Sequence, residues 1–219
     1  MSKNKSYAVI GMGRFGSAVA IELAKGGADV LAIDINEERV RAIAEDVTHA
    51  VKADVTDRET LESLGLRNMD AIIVAMARSM DASILVTINA KEMGVPYVIA
   101  KAQDEMRAKI LTKVGADRII IPEKESGIRI AKGLINGKVL DFFALSEHIS
   151  MVEVPIQQEW IGHNLKKLDF RRKYHVNVIA YEEEGQELIV NISPDMPLKK
   201  GKIWITGLIE DVAKITNKE

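Results

Sequence analysis

Gly11, Gly13 and Gly16 fall at the spacing G-x-G-x-x-G within Tyr7-Ala8-Val9-Ile10-Gly11-Met12-Gly13-Arg14-Phe15-Gly16, and Asp34 follows eighteen residues past the last of them. This combination suits recognition of a nucleotide's phosphates and ribose. Gly11 would allow a tight turn, Gly13 a close backbone approach to a pyrophosphate, and Gly16 close packing of helix on strand. The phosphates would lie at a helix N-terminus, where free N–H groups and the dipole favour anions. The Asp34 carboxylate would accept hydrogen bonds from ribose hydroxyls. Arg14 lies inside the turn, and a cation there is mismatched with the helix dipole unless an anion stands between them. It points to extra phosphate charge or to a neighbouring subunit's carboxylate, with a plain solvated arginine as the alternative. Phe15 belongs to the same turn.

Two strands and a helix must hold these groups. The apolar run 7–10 predicts a first strand and 29–34 a second that ends on the acid. Between them Phe15, Val19 and Leu23 share one face of a helix over about 14–25, which stops at Gly26-Gly27. Asn36 can cap the next helix, with Glu37 and Glu38 in its first turn. A short strand at 50–53, a helix at 58–64 capped by Thr56 or Asp57, and an apolar strand at 70–75 follow. Helices near 80–93 and 105–114 then alternate with strands at 97–100 and 118–121. This alternation predicts an α/β fold, a doubly wound, Rossmann-like parallel sheet with right-handed crossovers. A helix at 123–136 and an apolar connector at 139–145 lead to a different pattern. Strands are expected at 151–155, 177–181, 188–192 and 202–206, with helices at 165–174 and 208–215. They make a small α+β lobe, with Trp160 and Trp204 expected in its core. The expected division is a nucleotide-binding lobe at 1–122, a helix and crossover linker at 123–147, and the small lobe at 148–219. So small a lobe is marginal alone and is expected to dimerise or lean on its neighbour.

Composition narrows the chemistry. The 219 residues are 47% hydrophobic and carry 30 basic against 32 acidic side chains. With no basic stripe interleaved with aromatics, nucleic acid is not an expected partner. The absence of cysteine excludes disulfides, thiolate metal sites and cysteine nucleophiles. The start of the chain runs straight into the first strand without an apolar signal segment, and no apolar run is long enough to span a bilayer. A cytoplasmic location without membrane insertion is expected. His49, His148, His163 and His175 fall in no metal-ligand spacing and read as structural or surface residues. No nucleophile motif or triad order stands out, so no catalytic residue is assigned.

Other candidate contacts lie at the ends of the strands, where open parallel sheets bind ligands. They are Asp34-Ile35-Asn36, Asp54-Val55-Thr56, Ala75-Met76-Ala77-Arg78 and Lys101-Ala102-Gln103. Asp54 could accept from an adenine amino group or cap the following helix. Lys101 suits a phosphate or ribose contact, or simple solvation. Glu123 and Glu125 open a helix, where the dipole alone can explain them; the alternative is a cation site shared at a subunit boundary, suited to Mg²⁺ or Ca²⁺.

The chain resembles the RCK family (regulators of K⁺ conductance), specifically the Ktr/Trk cytosolic subunits of bacterial potassium uptake and within them the KtrA/KtrC branch. The similar segments are Ala8-Val-Ile-Gly-Met-Gly-Arg-Phe-Gly16, Leu64-Gly-Leu-Arg-Asn68, Ala82-Ser-Ile-Leu85, Lys101-Ala-Gln103, Gly115-Ala-Asp117 and Ile121-Pro-Glu-Lys-Glu125. Residues 141–147 resemble the family's crossover into its C-terminal lobe. The resemblance implies an N-lobe that binds ATP or ADP, and dimers assembled into an octameric ring beneath a membrane K⁺ translocating subunit of the KtrB/TrkH kind. By the same resemblance Arg14 reads terminal phosphates, Asp34 takes the ribose, Asp54-Val55 and Lys101 to Gln103 line the adenine side, and Lys109 lies near phosphate. Glu125 becomes a divalent-cation ligand between subunits. Arg171, His175, Asn177 and Val178 match the segment with which the family's C-lobe binds cyclic di-AMP. Relatives often carry glycine after the fourth strand, where this chain has Ala77 and Arg78. Against this regulatory, non-enzymatic reading stands an NAD(H)-binding redox sensor or oxidoreductase. The latter would need an acid/base pair in a substrate domain, and only about a hundred residues remain beyond the first lobe, with no histidine set beside an obvious acid.

Overall fold

A computed structural model describes residues 4–76, 79–135, 141–146 and 148–216. The chain divides into two compact units, residues 1–123 and 124–219.

In the first unit, strands β1 (Ser6–Ile10), β2 (Asp29–Asp34), β3 (His49–Lys52), β4 (Ala71–Val74), β5 (Val98–Lys101) and β6 (Arg118–Ile120) form one sheet. Its order is β3-β2-β1-β4-β5-β6, and every pairing is parallel. Helices α1 (Arg14–Lys25), α2 (Glu37–Ile43), α3 (Arg58–Ser63), α4 (Met80–Glu92) and α5 (Glu105–Lys113) provide the crossovers. The interiors of the central strands β1, β2 and β4 are apolar without interruption because both faces are covered. Val9, Ala32 and Ile73, in register on neighbouring strands, pack with Ala20 of α1 and Ile43 of α2. The alternate residues Ala8, Ile10, Ile33, Ile72 and Val74 face Leu61, Val86 and Leu111 of α3, α4 and α5. Burying each large aliphatic side chain contributes about 1.5–3 kcal/mol. The expected doubly wound sheet is therefore the observed one, with its topological switch point between β1 and β4, beside the glycine turn.

Helix α6 (Pro122–Ile135) leads into the second unit. There β7 (Asp141–Ala144), β8 (Ile149–Pro155), β9 (Asn177–Glu183) and β10 (Gly201–Leu208) form an antiparallel sheet in the order β7-β8-β10-β9. Helices α7 (Leu165–Leu168), α8 (Phe170–Tyr174) and α9 (Ile209–Thr216) complete it. Strand alternation sets the core: Val152 and Val154 of β8 and Ile203 and Ile205 of β10 point inward to Trp160, Phe170 and Ile215. The Trp160 and Phe170 rings meet edge to face at 5.0 Å.

Four expectations need correction here. Residues 141–144 pair with β8 as a strand where a connector was expected. The single helix expected over 165–174 is two short ones, broken at Asp169, whose φ of 43° is left-handed. The strand expected at 188–192 reduces to one bridge between Ile189 and Tyr181, with Leu188 and Val190 exposed. Trp160 is core, but Trp204 lies on the opposite face of β10 from Ile203 and Ile205, half-buried, with the Lys202 ammonium 5.3 Å from its ring.

Candidate functional site

The glycine turn joins β1 to α1 at the switch point, and its glycines have three different reasons to be there. Gly11 has a φ of +99°, and a Cβ on it would meet Met76 Cγ at 2.9 Å. A Cβ on Gly16 would lie 1.9 Å from the Gly11 carbonyl oxygen. These two positions are fixed by packing. Gly13 is different: its backbone is extended, and a Cβ there would meet nothing within 4 Å. Space is open where the pyrophosphate is expected.

The helix behind the turn is open too. Gly13 at the N-cap of α1 gives no side-chain hydrogen bond, and the first turn contains no acid. The other four helices of the unit are capped by Asn36, Asp57, Ser79 and Asp104, each with an acid in its first turn. Arg14 is exposed at the start of α1.

Asp34 ends β2 and is 7% exposed. Its Oδ2 accepts the Met12 N–H at 2.7 Å, and its Oδ1 accepts the Asn36 N–H at 2.8 Å. The carboxylate thus fixes the glycine turn, and its remaining lone pairs can take a ribose hydroxyl. Ile35, next in the chain, is 65% exposed. Asn36 caps α2, its Oδ1 accepting from the Glu38 and Arg39 N–H groups. Arg39, which the sequence did not single out, reaches back to Asp34, with Nη1 3.5 Å from Oδ2.

Asp54 does not cap α3; Asp57 does, through the Thr60 N–H and hydroxyl. Asp54 instead accepts the Thr56 hydroxyl at 2.7 Å and the Thr56 N–H at 3.0 Å, which hold its carboxyl below the usual range. Val55 is buried in the core. Ala75 and Met76 close the turn from the β4 side, and the Ser83 hydroxyl of α4 donates to the Met76 carbonyl at 2.6 Å. Ala77, an expected contact, lies outside the described residues, as does Arg78.

Strand order separates residues expected to act together. Asp54-Val55 follow β3 and Lys101 ends β5, on opposite sides of β1. Four strand spacings, about 19 Å, keep them from lining one adenine together. Lys101 belongs with the start of α1: its Nζ lies 5.6 Å from the Phe15 ring centroid and 2.7 Å from Glu123 Oε1. The Glu123 carboxyl is held below the usual range, first by that Lys101 contact and to a lesser degree by the charge of Arg14. Glu123 is thus tied through Lys101 to the start of α1. Ala102 is buried, Gln103 is exposed, and Lys109 is exposed on α5. Glu125 is exposed in the first turn of α6. Among the described residues, no three His, Asp or Glu side chains converge on a metal position within one chain. No helix among them is long and apolar enough to cross a membrane.

In the second unit Arg171, His175 and Asn177 are exposed around the α8–β9 turn, while Val178 is half-buried against the core. His175 has a left-handed φ of 55°, and its Nδ1 lies 3.7 Å from Asp211 Oδ1. Asp211 is held ionised first by the Lys214 ammonium and then by His175.

Sheet order, the glycine turn and the acid that ends β2 together define a nucleotide-binding module of the Rossmann type, followed by a small antiparallel lobe. The TrkA-N domain model matches residues 7–122 and the TrkA-C domain model residues 149–218. The chain belongs to the RCK-containing Ktr/Trk family of potassium-uptake regulatory proteins. It is 38% identical to Ktr system potassium uptake protein C of Bacillus subtilis (strain 168), over 98% of this chain and 97% of that protein. To Ktr system potassium uptake protein A of Vibrio alginolyticus it is 42% identical, over 98% of this chain and 96% of that one. A solved structure of the GsuK channel bound to NAD shares the fold at a TM-score of 0.64 and 14% identity, over 96% of this chain and 38% of the channel.

Proposed function

We propose that this chain is the nucleotide-sensing regulatory subunit of a K⁺ uptake system, a binding module rather than an enzyme. It would act at the cytoplasmic face of the membrane on a K⁺ translocating subunit of the KtrB/TrkH kind. The observation that carries the nucleotide part is the bare N-terminus of α1, uncapped, free of acids and open at Gly13. The potassium part rests on relatives named as Ktr potassium uptake proteins that match nearly the whole chain.

In this reading ADP or ATP places its phosphates on the α1 N–H groups and its ribose on Asp34. Ile35 and Asn36 border the base, with Asp54-Val55 further along the same side. Arg14 and Lys101 attend the terminal phosphates, the former from its own subunit or a neighbour; Lys109 lies toward the same end. Glu125 would hold Mg²⁺ or Ca²⁺ at a subunit boundary, with Glu123 two residues before it at the same helix start. Dimers of the chain in an octameric ring would carry the change to the transporter. A tenfold difference in nucleotide affinity between two ring states biases them by about 1.4 kcal/mol per site, and the bias adds over the ring. Cyclic di-AMP would bind a second site, at Arg171, His175, Asn177 and Val178 in paired small lobes.

The test is calorimetric titration with ATP, ADP, NAD⁺ and NADH, with and without Mg²⁺, on the wild type and on Arg14→Ala. ATP and ADP should bind more tightly than NADH, and the variant should lose ATP selectively, by about tenfold. Preference for NADH with no dependence on Arg14 would replace this reading with a dinucleotide sensor.

A further inference from the structure

Around Asp34, one side chain, Arg39, is placed by a single long contact. The carboxylate already accepts two backbone N–H groups, from Met12 at 2.7 Å and Asn36 at 2.8 Å. Arg39 nonetheless turns back from the first turn of α2 to bring Nη1 within 3.5 Å of Oδ2. On the same helix Glu37 takes both Arg41 and Lys52, so Arg39 is the cation left on the β2 end. Its side chain is 47% exposed. That contact uses one of the guanidinium's five N–H donors.

Ile35 is the second oddity. A residue just before a helix N-cap commonly packs on the helix's fourth residue. Here that residue, Val40, is buried, while Ile35 is 65% exposed and leaves its apolar surface free at the strand end. A planar cation and a free aliphatic surface therefore flank the carboxylate that would hold a ribose. An adenine joined to that ribose is one glycosidic bond away. Guanidinium planes stack on such π-faces, and an ammonium does not reproduce the fit.

We propose that Arg39 is a specificity-determining residue that forms the outer wall of an adenine subsite opposite Ile35. The proposal rests on the nucleotide reading above. It assigns to Arg39 a contact with the base and not with the phosphates or the ribose.

The experiment is competition against a fluorescent ADP analogue on the full chain, with ADP, ribose 5-phosphate and pyrophosphate as competitors. Wild type, Arg39→Ala and Arg39→Lys are compared, and unliganded melting curves check that all three fold alike. Arg39→Ala should weaken ADP about fivefold and leave ribose 5-phosphate and pyrophosphate unchanged, and Arg39→Lys should fail to restore ADP. Parallel losses for all three competitors, no loss for ADP, or full rescue by lysine would overturn the proposal while the nucleotide reading stands. No competition by ADP in the wild type would overturn both.

Discussion

The start of α1 and the starts of α2 to α5 solve the same problem in opposite ways. Each helix begins with N–H groups that lack an intrahelical partner. At four of them a side chain from Asn36, Asp57, Ser79 or Asp104 accepts such a group, and an acid follows in the first turn. At α1 a glycine occupies the cap and an arginine the first position. The chain thus forgoes at α1 a modest stabilisation that it takes at its neighbours. An anion from outside would supply what is missing there, and in doing so its binding would stabilise the fold. The four capped starts are satisfied from within the fold; on the proposed reading the bare one is satisfied by a ligand.

The largest expected effect comes from filling the close approach on which the bare helix depends. Gly16→Ala would put a Cβ 1.9 Å from the Gly11 oxygen, and it should cost about 3 kcal/mol or more in a denaturant titration. A variant of undiminished stability would mean that α1 does not sit on the turn as described. Smaller is the cost of uncovering a capped helix. Asp57→Ala should lower the melting midpoint by about 3 °C and leave ADP affinity untouched. A drop in ADP affinity would erase the distinction between the two kinds of helix start.

The smallest effect is one of pH. The Asp57 carboxyl is held below its usual range, first by the Thr60 hydroxyl and then by the Thr60 N–H. A depressed carboxyl contributes stability that is complete above its unfolded value, about 3.9, and that is lost as pH falls through the lower folded one. The protection factors of the first α3 amides should therefore fall on acidification below about pH 4, while those of α1, which has no carboxylate cap to lose, should not. An equal fall at both would contradict the contrast.

Much of this was legible in the sequence because it is local. The central strands of the first unit are short apolar runs between turn residues, and Gly11 to Gly16 mark the switch point without any knowledge of the sheet. What could not be read was distance. Asp54 and Lys101 both follow strands, yet only the order β3-β2-β1-β4-β5-β6 sets them on opposite sides of the turn. The contact that ties Glu123 to Lys101 crosses twenty-two residues, which no local pattern shows. Arg39 could have been noticed five residues past Asp34, since a helix start brings such a side chain back over the strand end. In the small lobe, Asp169 breaks a helix that the pattern runs straight through, because a left-handed aspartate leaves no periodic mark. Residues 188–192 have the composition of a strand, but only Ile189 finds a partner.

The most direct test puts a cap where there is none. Gly13 has an extended backbone and open space around its missing Cβ, so Gly13→Asp should fold and supply α1 with the anion it lacks. Calorimetric titration of this variant with ADP, beside its unliganded melting curve, decides the matter. ADP binding should be lost while the unliganded midpoint stays level or rises. ADP binding at wild-type strength would show that the phosphates do not sit at the start of α1.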